Sequence, residues 1–397
     1  MEFNFFERQE KRNLIPLEIP SKKDYFFDLL QLENSFVSRV DVFQIANTFF
    51  MESVQLITNA ISLFEKGYFD CAYYSLRQSL ETALTMVYLS DLKGDKREEE
   101  LLKWKEKSKF PMYKGMIDLL EKQMAIFSDV KETMTDYFDE MEQTKKHLNK
   151  YVHKQGFNTF YVSRNHFINK ERNQNPIIEE FEFFLERCIS AITVFRLCID
   201  PLPVLLMDEE IYSRTEEFMS DAFSRDFIEK YVGIKNIEKY KQTNIYKNAY
   251  DYFLKFEKRL PAVLDVTKSR YIDKRKINGI LSQTHILKNI EIQAVVIAMM
   301  SEKVTRIMLS DFIIESFFTN TKSVREGLGL SSDIALELRN RNMTVLNLPI
   351  DNAFISTINV GGDNFFIEHN QQFDFEEFEE FQTKARKKFN EIVTQVK

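Results

Sequence analysis

The residues best suited to do chemistry lie at the end of a long amphipathic helix, in the segment KKHLNKYVHK that begins at Lys145. Four polar residues follow the spacing i, i+3, i+4, i+7 and therefore share one helix face: Lys146, Asn149, Lys150 and His153. We call this set the basic strip. His153 falls in the last turn, where the helix dipole favours a protonated imidazole. A histidine that moves a proton beside cations that stabilise a pentavalent phosphate suits phosphodiester cleavage. The alternative is a basic last turn that only stabilises its own helix.

A second polar pair, Arg77 and Glu81, is separated by four residues in the apolar segment AYYSLRQSLETAL. Each residue follows a leucine of the buried stripe by one position, so both flank that stripe. Their spacing predicts an intrahelical ion pair. In the other interpretation, Arg77 faces His153 across a helical bundle and belongs to the same site.

The chain lacks the motifs of several other chemistries. It contains no GxxxxGK[ST], HExxH or GxSxG. Its five histidines and three cysteines are scattered without metal-ligand spacing, so we predict neither a metal nor a cofactor. The formal charge of −7 excludes a general binder of the nucleic-acid backbone and leaves room for a local basic groove.

Helical periodicity places both groups of residues in an N-terminal bundle. Apolar residues recur at spacings of three and four from Asp41 to Phe64, and Gly67 is the expected C-cap. A helix over Phe69–Leu92 follows at once, which predicts an antiparallel hairpin. The densely charged segment 94–110 predicts a solvated helix or connector. The remaining helices complete a bundle of four or five helices over residues 41–200. They are Met112–Ile126, Val130–Lys154, which is followed by Gly156 as the stop, and a helix between Pro176 and Pro201.

The second half has a less regular pattern, and residues 1–40 form an N-terminal extension. Four helices are expected before the strands of the second half: Met207–Lys230, Asn244–Arg259, Ile277–Phe318 with a break near His285, and Asp333–Arg339. The period then changes to that of strands, which predicts a hairpin or three-stranded sheet near 343–369: Met343–Leu348, Phe354–Val360 and Asn364–His369. A last helix starts near Phe373. The predicted fold is therefore mostly α, with domains at 41–200 and 201–397.

Two segments together resemble the HEPN superfamily of helical bundles: EKGYFDCAYYSLRQSLETAL and HLNKYVHKQG. The resemblance covers about residues 41–200. Many members are metal-independent ribonucleases, often dimeric, from bacterial toxin–antitoxin and abortive-infection systems. Their motif is an arginine, a polar residue and a short spacer before a histidine near a helix end. His153 matches that histidine, Lys146 lies where the longest spacer would put the arginine, and His147 occupies the polar position. The segment from Lys146 to His153 contains no arginine. Arg77 would substitute for it from the neighbouring helix.

The resemblance implies a set of site residues. The catalytic residues would be His153 as general acid or base, Lys146 or Arg77 as the group that stabilises the phosphorane, and Asn149 to orient the histidine or the substrate. Substrate binding would fall to Lys150, His147 and Glu81.

Two functional hypotheses follow from these residues. The first is a metal-independent ribonuclease of a bacterial defence or toxin system. The second is a non-catalytic HEPN-like protein that dimerises or binds a partner. The expected partners are RNA, a second copy of the chain and a protein partner or antitoxin. No membrane partner is expected, because the apolar run Ile292–Met300 is too short to span a bilayer. A cytoplasmic location is expected, because the N-terminus is charged from residue 2 and does not resemble a signal peptide.

Overall fold

The computed structural model of the chain divides into two compact units, Met1–Val204 with Phe218–Ala249 and Leu205–Glu217 with Tyr250–Lys397. The structure describes residues 4, 7, 16–106, 108–122, 126–160, 174–208, 211, 220–257, 261–309, 316–321, 344–350 and 353–396. The described residues are mostly helical, and their strands lie in the C-terminal part. The predicted fold class is confirmed.

The first unit is helical throughout its described elements. They are α1 (Lys22–Asn34), α2 (Phe43–Glu65), α3 (Phe69–Asp91), α4 (Asp95–Lys105), α5 (Tyr113–Lys122), α6 (Ile126–Thr133), α7 (Thr135–Val152), α8 (Asn175–Leu197), α9 (Leu202–Leu205), α10 (Arg225–Tyr231), α11 (Ile234–Tyr240) and α12 (Asn244–Glu257), with α9 and α12 continuing into the second unit. Helices α2, α5, α7 and α8 all pack on α3. Helix α3 is accordingly buried on every side from Thr82 to Ser90. It is the central element against which the basic strip is positioned.

The predicted hairpin of α2 and α3 is confirmed, and so is the role of Gly67. This glycine has a φ of 82°, in the left-handed region. The Tyr68 N–H donates to the Leu63 carbonyl at 2.9 Å and the Gly67 N–H donates to the Phe64 carbonyl at 2.9 Å, which is the Schellman pattern. The tight turn lets the apolar faces of the two helices meet directly.

The first unit has different limits from the predicted bundle of residues 41–200. Helix α1 belongs to it, because Tyr25, Leu29 and Leu32 are buried. Residues 218–249 belong to it as well, since the Tyr240 hydroxyl donates to the Leu197 carbonyl at 2.8 Å. Sequence periodicity carries no information on such contacts between distant helices.

Part of the predicted helix Met207–Lys230 is replaced by the shorter helix α10. It begins after Ser224, whose Oγ accepts a hydrogen bond of 3.1 Å from the Phe227 N–H. Residues 220–224 are not helical, and residues 209, 210 and 212–219 lie outside the described part of the chain. The serine cap is the local signal that the periodicity missed.

The second unit contains a six-stranded sheet with helices. Its described elements are α13 (Ala262–Ser269), β1 (Tyr271–Ile272), α14 (Ile277–Leu281), α15 (Asn289–Met300), β2 (Val304–Leu309), β3 (Ser316–Thr319), β4 (Leu348–Ile350), β5 (Ala353–Val360), β6 (Asp363–His369) and α16 (Phe375–Val396). The strand order is β1-β3-β2-β6-β5-β4. The β1–β3 pair is parallel and the other pairs are antiparallel. The sheet is therefore larger than the predicted hairpin or three strands.

The predicted helix Ile277–Phe318 is wrong after Met300. Its next part, Val304–Leu309, is a strand whose six residues are all buried. This strand pairs with β3 and β6 on its two sides, so its backbone hydrogen bonds are made to residues distant in sequence. A short apolar run fits a buried strand as well as a helix, and only the partners decide between them.

The predicted strands Phe354–Val360 and Asn364–His369 are confirmed as β5 and β6, and α16 confirms the last helix. The predicted strand Met343–Leu348 is displaced, because residues 344–347 are not in a strand and β4 starts at Leu348. The predicted helix Asp333–Arg339 lies outside the described residues. Gly361 and Gly362 connect β5 to β6 with φ values of 64° and 98°, and a Cβ on Gly361 would lie 2.4 Å from the Phe389 ring. That turn needs glycine for both conformation and space.

A buried histidine, His369, holds the end of β6. Its side chain is 0% exposed. The Nδ1–H donates to the Gln371 carbonyl at 2.8 Å, since a carbonyl can only accept. Nε2 is therefore the acceptor for the Ser356 hydroxyl at 2.9 Å. Burial lowers the pKa of His369 to about 4, so the ring is neutral in the folded chain.

The second unit is expected to lose stability as the pH falls from 6.5 towards 4. In that window the unfolded chain binds a proton at His369 and the folded chain does not, so the slope is about 1 kcal/mol per pH unit. Calorimetric unfolding of wild type and His369→Gln would measure it, with the exposed His285→Gln as a matched control. Equal pH slopes for wild type and His369→Gln would contradict this account.

Candidate functional site

Helix α7 ends at Val152, two residues earlier than predicted, and Lys154 rather than Gly156 makes the turn. Lys154 has a φ of 52°, and the Gln155 N–H donates to the Lys150 carbonyl at 2.8 Å in a Schellman pattern. The left-handed conformation costs a lysine about 1 kcal/mol. Its ammonium makes an ion pair of 2.5 Å with Asp70. The contact joins the end of α7, next to His153, to the first turn of α3.

The basic strip lies on one face of α7, as its spacing predicted. Lys146, Lys150 and His153 are exposed, and Asn149 is half-buried. The His153 N–H donates to the Asn149 carbonyl at 2.9 Å, so the histidine is the C-cap residue of the helix. Its side chain makes no hydrogen bond or ion pair within the described part of the chain. The imidazole is therefore free to meet a ligand at the end of the helix.

Arg77 of α3 crosses to the basic strip. Its Nε donates to Asn149 Oδ1 at 2.7 Å, and its Nη1 donates to Glu81 Oε2 at 3.1 Å. The predicted intrahelical ion pair of Arg77 and Glu81 is thus confirmed, and the arginine also reaches the neighbouring helix. The described residues include no direct contact between Arg77 and His153. Asn149 and His153 are one helical turn apart, so Arg77 approaches the histidine through the asparagine.

The guanidinium of Arg77 is not fully used by these contacts. Its side chain is 14% exposed. Nη2 has no hydrogen-bond partner among the described residues, so it remains able to donate to an anion. Nε and Nη1 are fixed by one side chain on each helix, which limits the conformations of the group. A fixed, partly exposed guanidinium is suited to binding a phosphate oxygen.

Two residues that the sequence did not single out support this contact. Tyr113, at the start of α5, is buried between two cations: the Arg77 guanidinium lies 5.5 Å and the Lys145 ammonium 4.2 Å from its ring centroid. Burial raises the pKa of Tyr113, so its hydroxyl stays neutral. Lys145 precedes Asn149 by four residues, and that spacing is the signal that could have placed it on the same side of α7.

His147 lies apart from the Arg77–Asn149 contact. It is exposed, its Nδ1 donates to the Gln143 carbonyl at 2.9 Å, and its ring centroid lies 6.3 Å from that of Phe184 on α8. The structure therefore brings together Arg77, Glu81 and Asn149 and leaves His147 on another side of the same helix. Lys146, Lys150 and His153 lie within about one turn of Asn149 on α7, and their side chains make no hydrogen bond to Arg77 or Asn149 among the described residues.

Three further findings bear on the site. Comparisons of the chain with protein-family models, with curated proteins and with solved structures found no match. The resemblance to HEPN bundles therefore depends on the residues quoted above. The described residues contain no group of three or more His, Cys, Asp or Glu side chains that could hold a metal ion. None of their helices combines the length and the apolar character needed to cross a membrane.

Proposed function

We propose that the first unit is a metal-independent endoribonuclease of a bacterial defence or toxin system, with His153 as the group that transfers the proton. The observation that carries the proposal is the hydrogen bond of 2.7 Å from Arg77 Nε to Asn149 Oδ1. The segment from Lys146 to His153 lacks an arginine, and this bond brings one to the strip from α3. Histidine, guanidinium and exposed ammonium groups are then within one region of the surface.

Each group has a defined task in RNA cleavage. His153 accepts the proton of a ribose 2′-hydroxyl, whose oxygen then forms a bond to the adjacent phosphorus. The bond from phosphorus to the 5′-oxygen breaks, leaving a 2′,3′-cyclic phosphate and a 5′-hydroxyl that takes its proton from water. Arg77 donates from Nη2 to the phosphorane oxygens, where negative charge increases. Lys146 and Lys150 bind flanking phosphates, and Asn149 holds the arginine in place.

A second candidate function is a non-catalytic module that binds a second copy of the chain or a protein partner such as an antitoxin. One observation favours it: Glu81 lies 3.1 Å from Arg77 and balances its charge. Position 146 also carries lysine, which lacks the bidentate fork of arginine. In this function the basic strip binds an acidic surface and no bond is broken.

RNA cleavage in the presence of EDTA distinguishes the two functions. The ribonuclease is expected to cleave single-stranded RNA and to leave a 2′,3′-cyclic phosphate, whereas the binding module leaves the RNA intact. Contaminating nuclease is excluded by testing His153→Ala protein purified in the same way. A reaction that requires added Mg²⁺ would overturn the metal-independent mechanism.

RNA binding is expected to weaken with salt, because Lys146 and Lys150 release counterions from the phosphates they contact. Lys150→Ala should reduce the slope of log K against log salt concentration by about one. The matched control is Lys96→Ala on α4, an exposed lysine outside the strip, whose removal should leave the slope unchanged. Fluorescence anisotropy of a labelled RNA measures both slopes. An affinity independent of salt would remove the basic strip from RNA binding.

A further inference from the structure

The first unit contains a cavity of about 830 Å³ that the ribonuclease mechanism does not use. It lies between α2, α3 and α4 and the segment 110–116. This volume is within the range of about 300–1,000 Å³ that is usual for small-molecule sites. Its walls are mainly apolar and include three aromatic rings, those of Phe49, Trp104 and Phe110. Phe49 and Trp104 meet edge to face at 4.9 Å, so this wall is packed rather than loose.

The charged side chains around the cavity differ in their exposure to solvent. Glu52 and Lys105 are both exposed, so their charges are screened by water. Glu81 is the half-buried charge, with 21% of its side chain exposed. Arg77 occupies only its Oε2, and Oε1 has no hydrogen-bond partner among the described residues. The cavity therefore presents one carboxylate oxygen with remaining capacity to accept.

Two neutral side chains add hydrogen-bonding capacity beside Glu81. Thr82 is buried at 8% exposure and lines the cavity, and its hydroxyl makes no hydrogen bond within the described residues. Gln78, one turn before Thr82 on α3, also lines the cavity, and its amide makes no hydrogen bond within the described residues. Gln78, Glu81 and Thr82 thus bring three polar side chains to the cavity from one short stretch of α3.

We propose that this cavity binds a small organic cation with an apolar or aromatic body, with Glu81 as the residue that accepts its charged group. The apolar body replaces water against the aromatic wall, and the ammonium donates to Glu81 Oε1. An anion of the same shape meets the half-buried carboxylate and is repelled.

Trp104 is the only tryptophan of the chain, so its fluorescence reports occupancy of the cavity directly. Three probes of matched shape separate the contributions: phenylbutylamine, phenylbutanol and phenylbutyrate, titrated into the full chain at pH 7 and constant ionic strength. The amine should bind about tenfold or more tightly than the alcohol, because a hydrogen bond to a charged group is stronger than a neutral one. Phenylbutyrate should bind most weakly. Equal affinity for the three probes, or no saturable response, would overturn the proposal.

A pair of variants assigns the carboxylate. Glu81→Gln should abolish the preference for the amine while the alcohol still binds, which also shows that the cavity persists. Glu52→Gln, the matched change at the exposed carboxylate, should retain the preference. Loss of the preference in Glu52→Gln but not in Glu81→Gln would overturn the assignment of Glu81. The comparison of the three probes uses the unmodified chain and does not depend on the folding of any variant.

Discussion

Replacing His153 by alanine is expected to lower the rate of RNA cleavage by about 10²–10⁴-fold, the usual contribution of a general acid or base. The effect follows from the position of the imidazole, which is exposed at the end of α7 and makes no hydrogen bond or ion pair within the described residues. A group without structural partners leaves few contacts behind when it is removed. The loss should therefore appear in the rate constant for bond cleavage and not in the amount of folded protein.

The stability of the same variant separates catalysis from capping. As the C-cap residue, His153 contributes at most a favourable charge at the helix end, and its removal should cost about 0.3–1 kcal/mol. Unfolding in urea, followed through Trp104, measures this cost on the preparation used for cleavage. His285→Ala, which removes an exposed histidine from the second unit, is the matched control and should cleave RNA at the wild-type rate. Full cleavage by His153→Ala with reduced stability would leave His153 as a helix cap alone.

The geometry of the candidate site could be predicted only in part from the sequence. Spacing alone placed the basic strip on one face of α7 and paired Arg77 with Glu81, because both relations are local to one helix. The contact of Arg77 with Asn149 joins two helices, and its partner depends on how α7 packs on α3. Helical periodicity fixes which face is buried, but it does not fix the axial position of one helix against another. For that reason the sequence interpretation named His153 as the residue that Arg77 faces, whereas in the structure Arg77 donates a hydrogen bond to Asn149.

The errors in the fold have a related origin. Val304–Leu309 follows an apolar helix without a strong break, and its strand character depends on β6, some sixty residues later. Lys154 adopts a conformation usually left to glycine, and its ammonium pairs with Asp70, which lies far from it in sequence. In both cases a contact distant in sequence outweighs local propensity.

A second large effect is expected at Arg196, which α8 buries completely at 0% exposure. The hydrogen bonds of its guanidinium connect the end of α1 to the end of α8. Nε donates to the Ser35 carbonyl at 2.6 Å, and Nη2 donates to the Phe36 carbonyl at 2.5 Å and to Asp200 Oδ1 at 3.1 Å. Asp200 in turn accepts from the Ser38 N–H at 3.0 Å. The arginine therefore satisfies a buried carboxylate and two backbone carbonyls just beyond the end of α1.

Arg196→Leu is expected to destabilise the first unit by about 3–5 kcal/mol, because it leaves the Asp200 carboxylate buried without its cation. Domains of this kind are stable by about 5–15 kcal/mol in total, so the loss is a large fraction of the whole. Arg196→Lys should also be costly, since an ammonium cannot reproduce the planar fork that bonds several acceptors at once. The measurement is the urea midpoint reported by the fluorescence of Trp104, which belongs to the same unit.

Two controls distinguish a buried network from an ordinary ion pair. Arg187→Met removes another arginine of α8 whose partner, Glu140, is exposed, and it should cost less than about 1 kcal/mol. The double variant Arg196→Leu with Asp200→Asn leaves no unpaired charge in the interior, so its cost should be smaller than the summed costs of Arg196→Leu and Asp200→Asn. Additive costs, or a shift for Arg196→Leu no larger than for Arg187→Met, would show that the bonds of Arg196 contribute nothing beyond those of a surface pair. The expected difference exists because the Glu140 partner of Arg187 is exposed to water, whereas the Asp200 partner of Arg196 is buried.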